Sequence, residues 1–398
     1  MASDRILTTH VGSLVRPPKF VELLRARESA QPPAPGVYQA ALTEAVAEIV
    51  RQQADAGVDI VSDGEFGKGY NWAFYVHSRI TGITTRPMTA EEAKDPQASI
   101  SGGRDREAFP EYYAEADKAS GLAARLGNRF VCTGPITYVG QKELQRDIDN
   151  LKAAVAKVKV EGAFLPVVAP ASALPSAKNE HYRDEKEFLF ALAEALRVEY
   201  RTIVDAGLTV QIDDAFFPFM HEKLVPPMTE AQYRDWAQLR VDALNHALEG
   251  IPTEKSRYHI CWGSWSGPHA FDVPLKSIID IILKVNVGAY SFEAANVRHE
   301  HEWKVWKTVK LPAGKKILPG VISHATNVLE HPELIADRLV RFASLVGREN
   351  VIASSDCGFA QSPFAQRVHP SIMWAKLRAM AEGARLASDE LWGRRSAA

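Results

Sequence analysis

Cysteine is scarce: 398 residues include three, Cys132, Cys261 and Cys357. An odd, widely spaced trio in so long a chain is no disulfide framework and fits a reducing cytoplasm. Long apolar runs are missing too. No stretch approaches the roughly 18 consecutive apolar residues of a membrane span, and Met1-Ala2-Ser3-Asp4-Arg5 leads into a strand-like segment without a signal-peptide core. Neither sign of charge prevails: 47 Lys and Arg face 49 Asp and Glu, a net charge of −2. No overall field therefore directs the chain to nucleic acid or to an anionic membrane. Phosphate-binding fingerprints are absent as well, because Gly64-Glu65-Phe66-Gly67-Lys68-Gly69 has neither dinucleotide spacing nor a Lys-Ser/Thr ending. These absences leave a small molecule as the expected partner. Composition does not speak to oligomeric state.

What is present is an ordinary globular composition, 46% hydrophobic and 24% charged, ample for a large core. Short apolar or β-branched runs alternate with longer amphipathic stretches, which is the pattern of βα units and a parallel sheet. Strands are expected near 6–13, 58–63, 129–136, 164–169, 208–213, 258–261, 289–293, 316–322 and 351–356, and helices over 38–56, 141–158, 185–206, 230–248 and 332–345. Nine strands are one more than a (β/α)8 TIM barrel requires. The surplus strand is 129–136, which follows the polar, poorly periodic span 86–119. The expected fold class is therefore α/β: one barrel domain over residues 1–398, with an inserted flap or hairpin around 86–140. Residues 86–120, including Ser101-Gly102-Gly103, read as a long lid or binding loop, and the tail Gly393-Arg394-Arg395-Ser396 as frayed.

Several expected strands end in chemically capable groups: His10 and Ser13, Asp63 and Glu65, Asp213 and Asp214, His259 and Cys261, Glu293, His324, and Asp356 with Cys357. In a parallel barrel all these ends meet at one face, where barrel enzymes place their chemistry. Alternate side chains of a strand share a face, so His259 and Cys261 form a clamp with Ile260 packed behind them. Cys357 adds a second sulfur and Glu293 an oxygen, and such borderline-soft ligands favour zinc over magnesium or calcium. Zinc lowers the pKa of a bound thiol, and the thiolate is the form that attacks carbon. The competing readings are plain. A lone cysteine is commonly a small buried apolar group, which is the reading kept for Cys132. Glu293 is equally a carboxylate at a helix start.

The motifs Thr9-His10-Val11-Gly12-Ser13-Leu14 with Arg16-Pro17, Asp63-Gly64-Glu65-Phe66, Gln211-Ile212-Asp213-Asp214, His259-x-Cys261, Phe292-Glu293 and Asp356-Cys357-Gly358 occur in this order over nearly the whole chain. Together they resemble the cobalamin-independent methionine synthases and their single-barrel relatives, including the epoxyalkane:coenzyme M transferases. The resemblance implies a (β/α)8 barrel with zinc held by His259, Cys261, Glu293 and Cys357. It also implies that Ser13, Glu65 and Asp213 anchor the amino-acid part of a thiol substrate. The N-terminal barrel of full-length synthases is expected to be absent, since the Val-Gly-Ser segment starts about ten residues in. Three segments depart from the synthase pattern: Asp214 replaces a glutamate, Trp262-Gly263-Ser264-Trp265 follows the first cysteine, and Gly320-Val321-Ile322-Ser323-His324 shifts a histidine. Thiol transfer is thus implied more firmly than methionine synthesis.

The expected roles follow. A thiol and a methyl or alkyl donor are the substrates, zinc the cofactor, and His324 or Asp213 the proton carrier. His10, Ser13, Glu65, Asp213, Trp262 and Arg298 are the candidate binding residues, with Tyr70, Trp72 and Trp265 as aromatic walls. Adjacent strand residues point to opposite sides, so Asp213 is assigned to the site and Asp214 to the loop 215–220. Arg298-His299-Glu300-His301-Glu302 reads as a solvated helix start. Two other classes compete: a cofactor-free decarboxylase of the uroporphyrinogen decarboxylase group, which needs basic residues and no metal, and a non-catalytic zinc barrel.

Overall fold

A computed structural model of the protein describes residues 4–27, 32–69, 71–92, 102–120, 128–364 and 367–393. Tyr70, Ser101 and the tail from Arg394 onward lie outside the described residues. In chain order the strands are β1 (Leu7–Thr8), β2 (Ile60–Val61), β3 (Ile83–Pro87), β4 (Asn128–Cys132), β5 (Gly162–Val168), β6 (Lys178–Asn179), β7 (Thr209–Asp214), β8 (Ser256–Ile260), β9 (Ala289–Phe292), β10 (Lys316–Ile322) and β11 (Ile352–Ser355). Eight of them form a parallel sheet in the order β1-β11-β10-β9-β8-β7-β5-β2. Its two ends meet where the Asp59 amide donates to the Thr8 carbonyl at 3.1 Å. The result is the nearly closed barrel expected of eight βα units, with helices around it. Strands buried on both faces carry near-continuous apolar runs rather than alternation, as in Gly-Ala-Phe-Leu-Pro-Val-Val of β5. No helix among the described residues is long and apolar enough to cross a membrane.

The surrounding helices start where their sequences supply caps. The Asp184 carboxylate accepts from the Glu187 amide at 2.8 Å to open Glu185–Asp205, and Thr229 with Gln232 forms a capping box for Glu230–Leu248. The helix expected over 38–56 begins earlier, at Pro35, because proline is tolerated in a first turn. The one expected over 141–158 stops at Val155.

The surplus strand lies outside the barrel, as the count of nine required. β4 pairs antiparallel with β3, Ile83 opposite Cys132 and Pro87 opposite Asn128, and β6 joins β4 in parallel. The hairpin starts before residue 86, so part of the supposed loop is strand. Further along the same polar span, Arg104–Ala108 and Pro110–Ser120 are helices. They are pinned by buried Asp105, whose carboxylate accepts from the Tyr113 hydroxyl at 2.7 Å and from the His269 and Ala270 amides at 3.1 and 2.9 Å. A long-range clasp, not local periodicity, orders this segment over the mouth of the barrel.

The solvated helix start expected at 298–302 is a correction. Glu300–Lys307 is a 3-10 helix, and His299 and Glu302 are only 4% and 6% exposed. His299 is bonded through Nδ1 to Glu302 at 2.9 Å and through Nε2 to Asp272 at 3.1 Å, and its ring stacks on Trp262 at 4.0 Å. The neighbours come from loops distant in sequence, which a local reading cannot supply.

Barrel closure rests on Asp59. Its carboxylate accepts from the Thr8 amide at 2.9 Å, from the Thr8 hydroxyl at 3.0 Å and from Arg5 at 2.7 and 2.8 Å. Asp59→Ala is expected to lower stability by about 2–3 kcal/mol by removing the acceptor that Arg5 and Thr8 share; a change below about 0.5 kcal/mol in urea unfolding would show that closure does not depend on this residue. For His299, burial works against the charge, but Asp272 and Glu302 outweigh it and raise the pKa to about 10. A histidine raised in the folded state contributes stability that is complete below its unfolded value near 6.5 and is lost as pH climbs towards 10. The parent protein should lose stability over that window at up to about 1.4 kcal/mol per pH unit relative to His299→Gln. Parallel pH profiles of the two proteins in urea unfolding would contradict this.

Candidate active site

β8 brings His259 to the barrel mouth, and Cys261 follows it directly; Cys357 arrives two residues after β11. Register sets the histidine between known neighbours, with Asp213 of β7 on one side and Ser291 of β9 on the other. One ring nitrogen of His259 and the sulfurs of Cys261 and Cys357 all lie within 4.8 Å of one another, and all three residues are buried. The imidazole is held through Nδ1 to the Ser291 hydroxyl at 3.0 Å, while Nε2 is buried without a hydrogen-bond partner. A buried, unpartnered imidazole nitrogen is costly and is what a ligand nitrogen looks like when its other nitrogen is oriented by a second residue.

The two sulfurs behave as a pair. A hydrogen bond from Cys261 holds Cys357 well below the usual thiol range, against burial and helped by His259, and the same bond with burial pushes Cys261 well above it. Val11 and Ala215 complete a small apolar cluster around the sulfurs, with Trp72 packed on it. Two thiols and an imidazole suit zinc in chemistry and number, leaving a position open in a tetrahedral set.

Glu293 is placed differently from its neighbours in the expected ligand set. Its carboxylate accepts from the Trp262 amide at 2.9 Å and from the Asn296 side chain at 2.5 Å, and it is not part of the 4.8 Å group. Burial, with Asp356 and Cys357 nearby, raises its pKa well above the carboxylate range although His299 opposes this. Asp356 ties the same loop down by accepting from the Ala294 and Ala295 amides at 2.8 Å each. Gly320 of β10 makes the room: a Cβ there would meet Asp356 Oδ1 at 2.2 Å.

Above the sulfurs lies a cavity of about 480 Å³. Ser13, Glu65 and Asp213 line it together with His259, Cys261 and Cys357, and Trp72, Phe216, Phe219, Trp265 and the lid tyrosines Tyr112 and Tyr113 form its walls. Glu65 sits in the left-handed backbone region at φ 63°, its amide donating to Asp63 Oδ1 at 2.9 Å. Such strain in a non-glycine residue persists where surrounding structure enforces it, commonly at functional sites. Its carboxylate meets Lys68 at 3.2 Å, both side chains being buried. Asp213 is raised to about 7, first by burial, with Lys68 and His259 opposing and Glu65 adding to the shift; Gln211 donates to it at 2.7 Å. Asp214 faces the other way, accepting from Ser172 and Tyr258 at 2.6 and 2.8 Å.

Other expected residues do not line the cavity. His10 is buried beneath it, bonded to Gln53 at 2.7 Å. Trp262 is fully buried, its indole donating to the Val273 carbonyl at 2.7 Å. His324 is buried with both ring nitrogens unpartnered, lowered to about 4 by burial despite the pull of Cys357. Arg298 is exposed and donates to the Ala270 carbonyl at 2.8 Å. Sequence reading missed Lys68, Gln361, Arg367 and the lid residues around Tyr113, all of which line or flank the cavity. Arg367 lies outside regular secondary structure, so periodicity offered no signal for it.

Comparison with known proteins bears on the family and on the barrel. Over residues 167–385, more than half of the chain, the sequence matches the family described as Cobalamin-independent synthase, Catalytic domain. It is 25% identical to the 2-hydroxypropyl-CoM lyase of Xanthobacter autotrophicus, covering 97% of this chain and 96% of that protein. It is 24% identical to the methionine synthase of Saccharolobus solfataricus, covering 96% and 95%. Among solved structures, a B12-independent methionine synthase from Shewanella sp. W3-18-1, in complex with selenomethionine, superposes with a TM-score of 0.71 at 19% identity, covering 98% of this chain and 99% of that one. A putative vitamin-B12 independent methionine synthase from Listeria monocytogenes superposes with a TM-score of 0.63 at 18% identity, covering 96% and 98%. At such identities the superpositions speak to the barrel alone, whereas the family match over residues 167–385 spans more than half of the chain: the chain belongs to the cobalamin-independent synthase catalytic-domain family.

Proposed function

We propose that the protein is a zinc-dependent transferase, a single barrel domain over residues 1–398 acting in the cytoplasm, that joins a small-molecule thiol to a methyl or alkyl group. The observation carrying this reading is the buried, unpartnered Nε2 of His259 within 4.8 Å of two cysteine sulfurs. His259, Cys261 and Cys357 would hold the metal, and Glu293 is the reserve oxygen ligand beside them. Zinc in that place supplies positive charge that favours the thiolate form of a substrate thiol at neutral pH.

The remaining work falls to this chain's own residues. The apolar cluster of Val11, Ala215 and Trp72 keeps water from the sulfur, and the aromatic walls hold the donor over it, so that two reactants meet in one orientation. The substrate sulfur forms a bond to the donor's carbon, and that carbon's bond to its leaving atom breaks with the electron pair going to the leaving atom. A proton then passes to the leaving atom. Asp213, which lines the cavity, is better placed to deliver it than His324, which does not. Before that transfer Asp213 holds the proton, and Glu65, beside Lys68, is the carboxylate that would meet an ammonium group on the thiol substrate.

A second reading has specific support. The relative from Xanthobacter autotrophicus, aligned over nearly its whole length, is a 2-hydroxypropyl-CoM lyase, and addition of a thiol to an epoxide uses the same sulfur nucleophile with the proton delivered to the ring oxygen. Assays with methyl-folate and with epoxide donors separate the two.

Cys261→Ser and Cys357→Ser are each expected to strip zinc and reduce alkyl transfer to background. Full zinc occupancy in both, measured by elemental analysis, would refute the metal reading. Ser291→Ala, which removes only the partner of His259 Nδ1, should weaken zinc by about 10–100-fold; competition with a chromophoric chelator measures it, and unchanged affinity would mean that the hydroxyl does not orient the ring.

A further inference from the structure

The loop between β8 and the helix Leu275–Ile282 carries a doubled arrangement that has no task in the chemistry above. Two histidines stack on two tryptophans, His299 on Trp262 and His269 on Trp265, each pair with ring centres 4.0 Å apart. Both histidines are bonded to one oxygen, Asp272 Oδ2: His269 through Nδ1 at 3.0 Å and His299 through Nε2 at 3.1 Å. The Asp272 side chain is only 4% exposed, so water competes little for bonds that charge makes strong. His269 has φ 53° and pairs through Nε2 with the Trp265 carbonyl at 3.1 Å. A residue with a side chain keeps that left-handed backbone only where its surroundings enforce it.

The two stacks support different parts of the site. On one side, Trp265 stands in the cavity wall and donates to the Tyr113 hydroxyl at 3.0 Å, while the His269 and Ala270 amides hold Asp105 of the lid. Arg104, also of the lid, donates to the Phe271 carbonyl at 3.4 Å. The lid thus rests on residues 265–271. On the other side, Trp262 directly follows Cys261, and its amide donates to the Glu293 carboxylate at 2.9 Å. Asp272 belongs neither to the lid nor to the metal group, yet one of its oxygens holds the ring that supports each. Packed rings and buried hydrogen bonds on rigid elements are the kind of contact through which two sites sense one another.

We propose that Asp272 is a positioning residue that couples the lid to the metal group, so that a docked lid and a metal ion at His259, Cys261 and Cys357 favour each other. The metal half of this coupling rests on the zinc reading; the support of the lid does not. Such coupling is reciprocal: what loosens the lid weakens the metal, and what fills the metal site steadies the lid.

Hydrogen exchange of the lid amides, residues 104–120, is followed by mass spectrometry in the full-length parent, Asp272→Ala and Asp272→Asn, each without and with zinc. Chelator competition gives the zinc affinity of these proteins, of Asp105→Ala and of the double variant Asp105→Ala with Asp272→Ala. Without zinc, lid amides should exchange about 5- to 10-fold faster in Asp272→Ala than in the parent, although Asp272 lies outside the lid. Zinc should slow lid exchange in the parent and not in Asp272→Ala. Asp105→Ala, which undocks the lid, should weaken zinc by about 5- to 10-fold in the parent and add nothing to the loss in Asp272→Ala, whereas a merely structural role gives losses that add. Asp272→Asn keeps an acceptor oxygen for both rings and should recover part of both effects, which preserves the test if the alanine variant folds poorly. Equal lid exchange in the parent and Asp272→Ala, parent-like zinc affinity in Asp105→Ala, or additive losses in the double variant overturns the proposal. A parent that holds no zinc while Asp272→Ala still loosens the lid overturns the zinc reading and the metal half of the coupling, and shows that the fault lay there and not in the support of the lid.

Discussion

Two sulfurs and an imidazole nitrogen crowded within 4.8 Å in a buried setting form the constraint around which the rest is arranged. Such groups cannot all keep ordinary protonation states out of water. Here the conflict is met by a hydrogen bond between the cysteines, which lowers the pKa of Cys357 and raises that of Cys261, and by leaving His259 Nε2 unpartnered. A protein selected only for stability would fill the place with apolar side chains, since buried polar groups without partners cost free energy. The neighbouring elements show that the arrangement is enforced. Ser291 fixes the ring, Asp356 binds the two amides after Glu293, and Gly320 clears the space for Asp356. Each of these sits on a different strand or just beyond its end, so the barrel itself supplies the precision.

Much of this was legible in the sequence because barrel topology converts strand ends into a common surface. Eight βα units and one extra strand follow from apolar runs and their spacing, and His259 and Cys261 share a face because strand side chains alternate. Asp213 and Asp214 divide as period two requires, one to the cavity and the other to Ser172 and Tyr258. What stayed hidden depends on contacts between distant segments. His299 looks like part of a charged, solvated turn until Asp272, Glu302 and Trp262 close around it. The lid helices carry polar sequences whose order comes from Asp105 reaching the loop at His269 and Ala270. His10 and Trp262 were expected to bind substrate from their chain position, yet a strand end does not reveal whether a side chain faces the cavity or Gln53 or the Val273 carbonyl.

The cavity's charges are not mixed evenly. Glu65 is paired with Lys68 at 3.2 Å, Asp213 accepts from Gln211 at 2.7 Å, and Arg367 is bonded to Gln361 at 2.7 Å. Inside a low-dielectric pocket such separation acts over the length of a small molecule, because interactions between charges are far stronger there than in water. Within such a pocket a small molecule is oriented by where its own charges fall. Orientation matters here more than affinity, since alignment of two reactants is a large part of what an active site contributes.

The lid completes the same logic. Its helices have modest apolar faces and would not hold position alone, as short helices rarely do in water. They are kept over the site by the buried Asp105 and by Lys223, which donates to the Gly102 carbonyl and is itself lowered to about 8 by burial despite Glu222. Polar clasps of this kind are directional and can be exchanged for water, unlike a continuous apolar seam. The aromatic wall that Tyr112 and Tyr113 present to the cavity is thus mounted on helices held by such clasps, and Trp265, on the loop after β8, joins it by donating to the Tyr113 hydroxyl at 3.0 Å. The cavity's outer wall and its sulfur and imidazole groups thus rest on different elements, the helices pinned by Asp105 and the barrel's strand ends, which separates the demand for access from the demand for geometry.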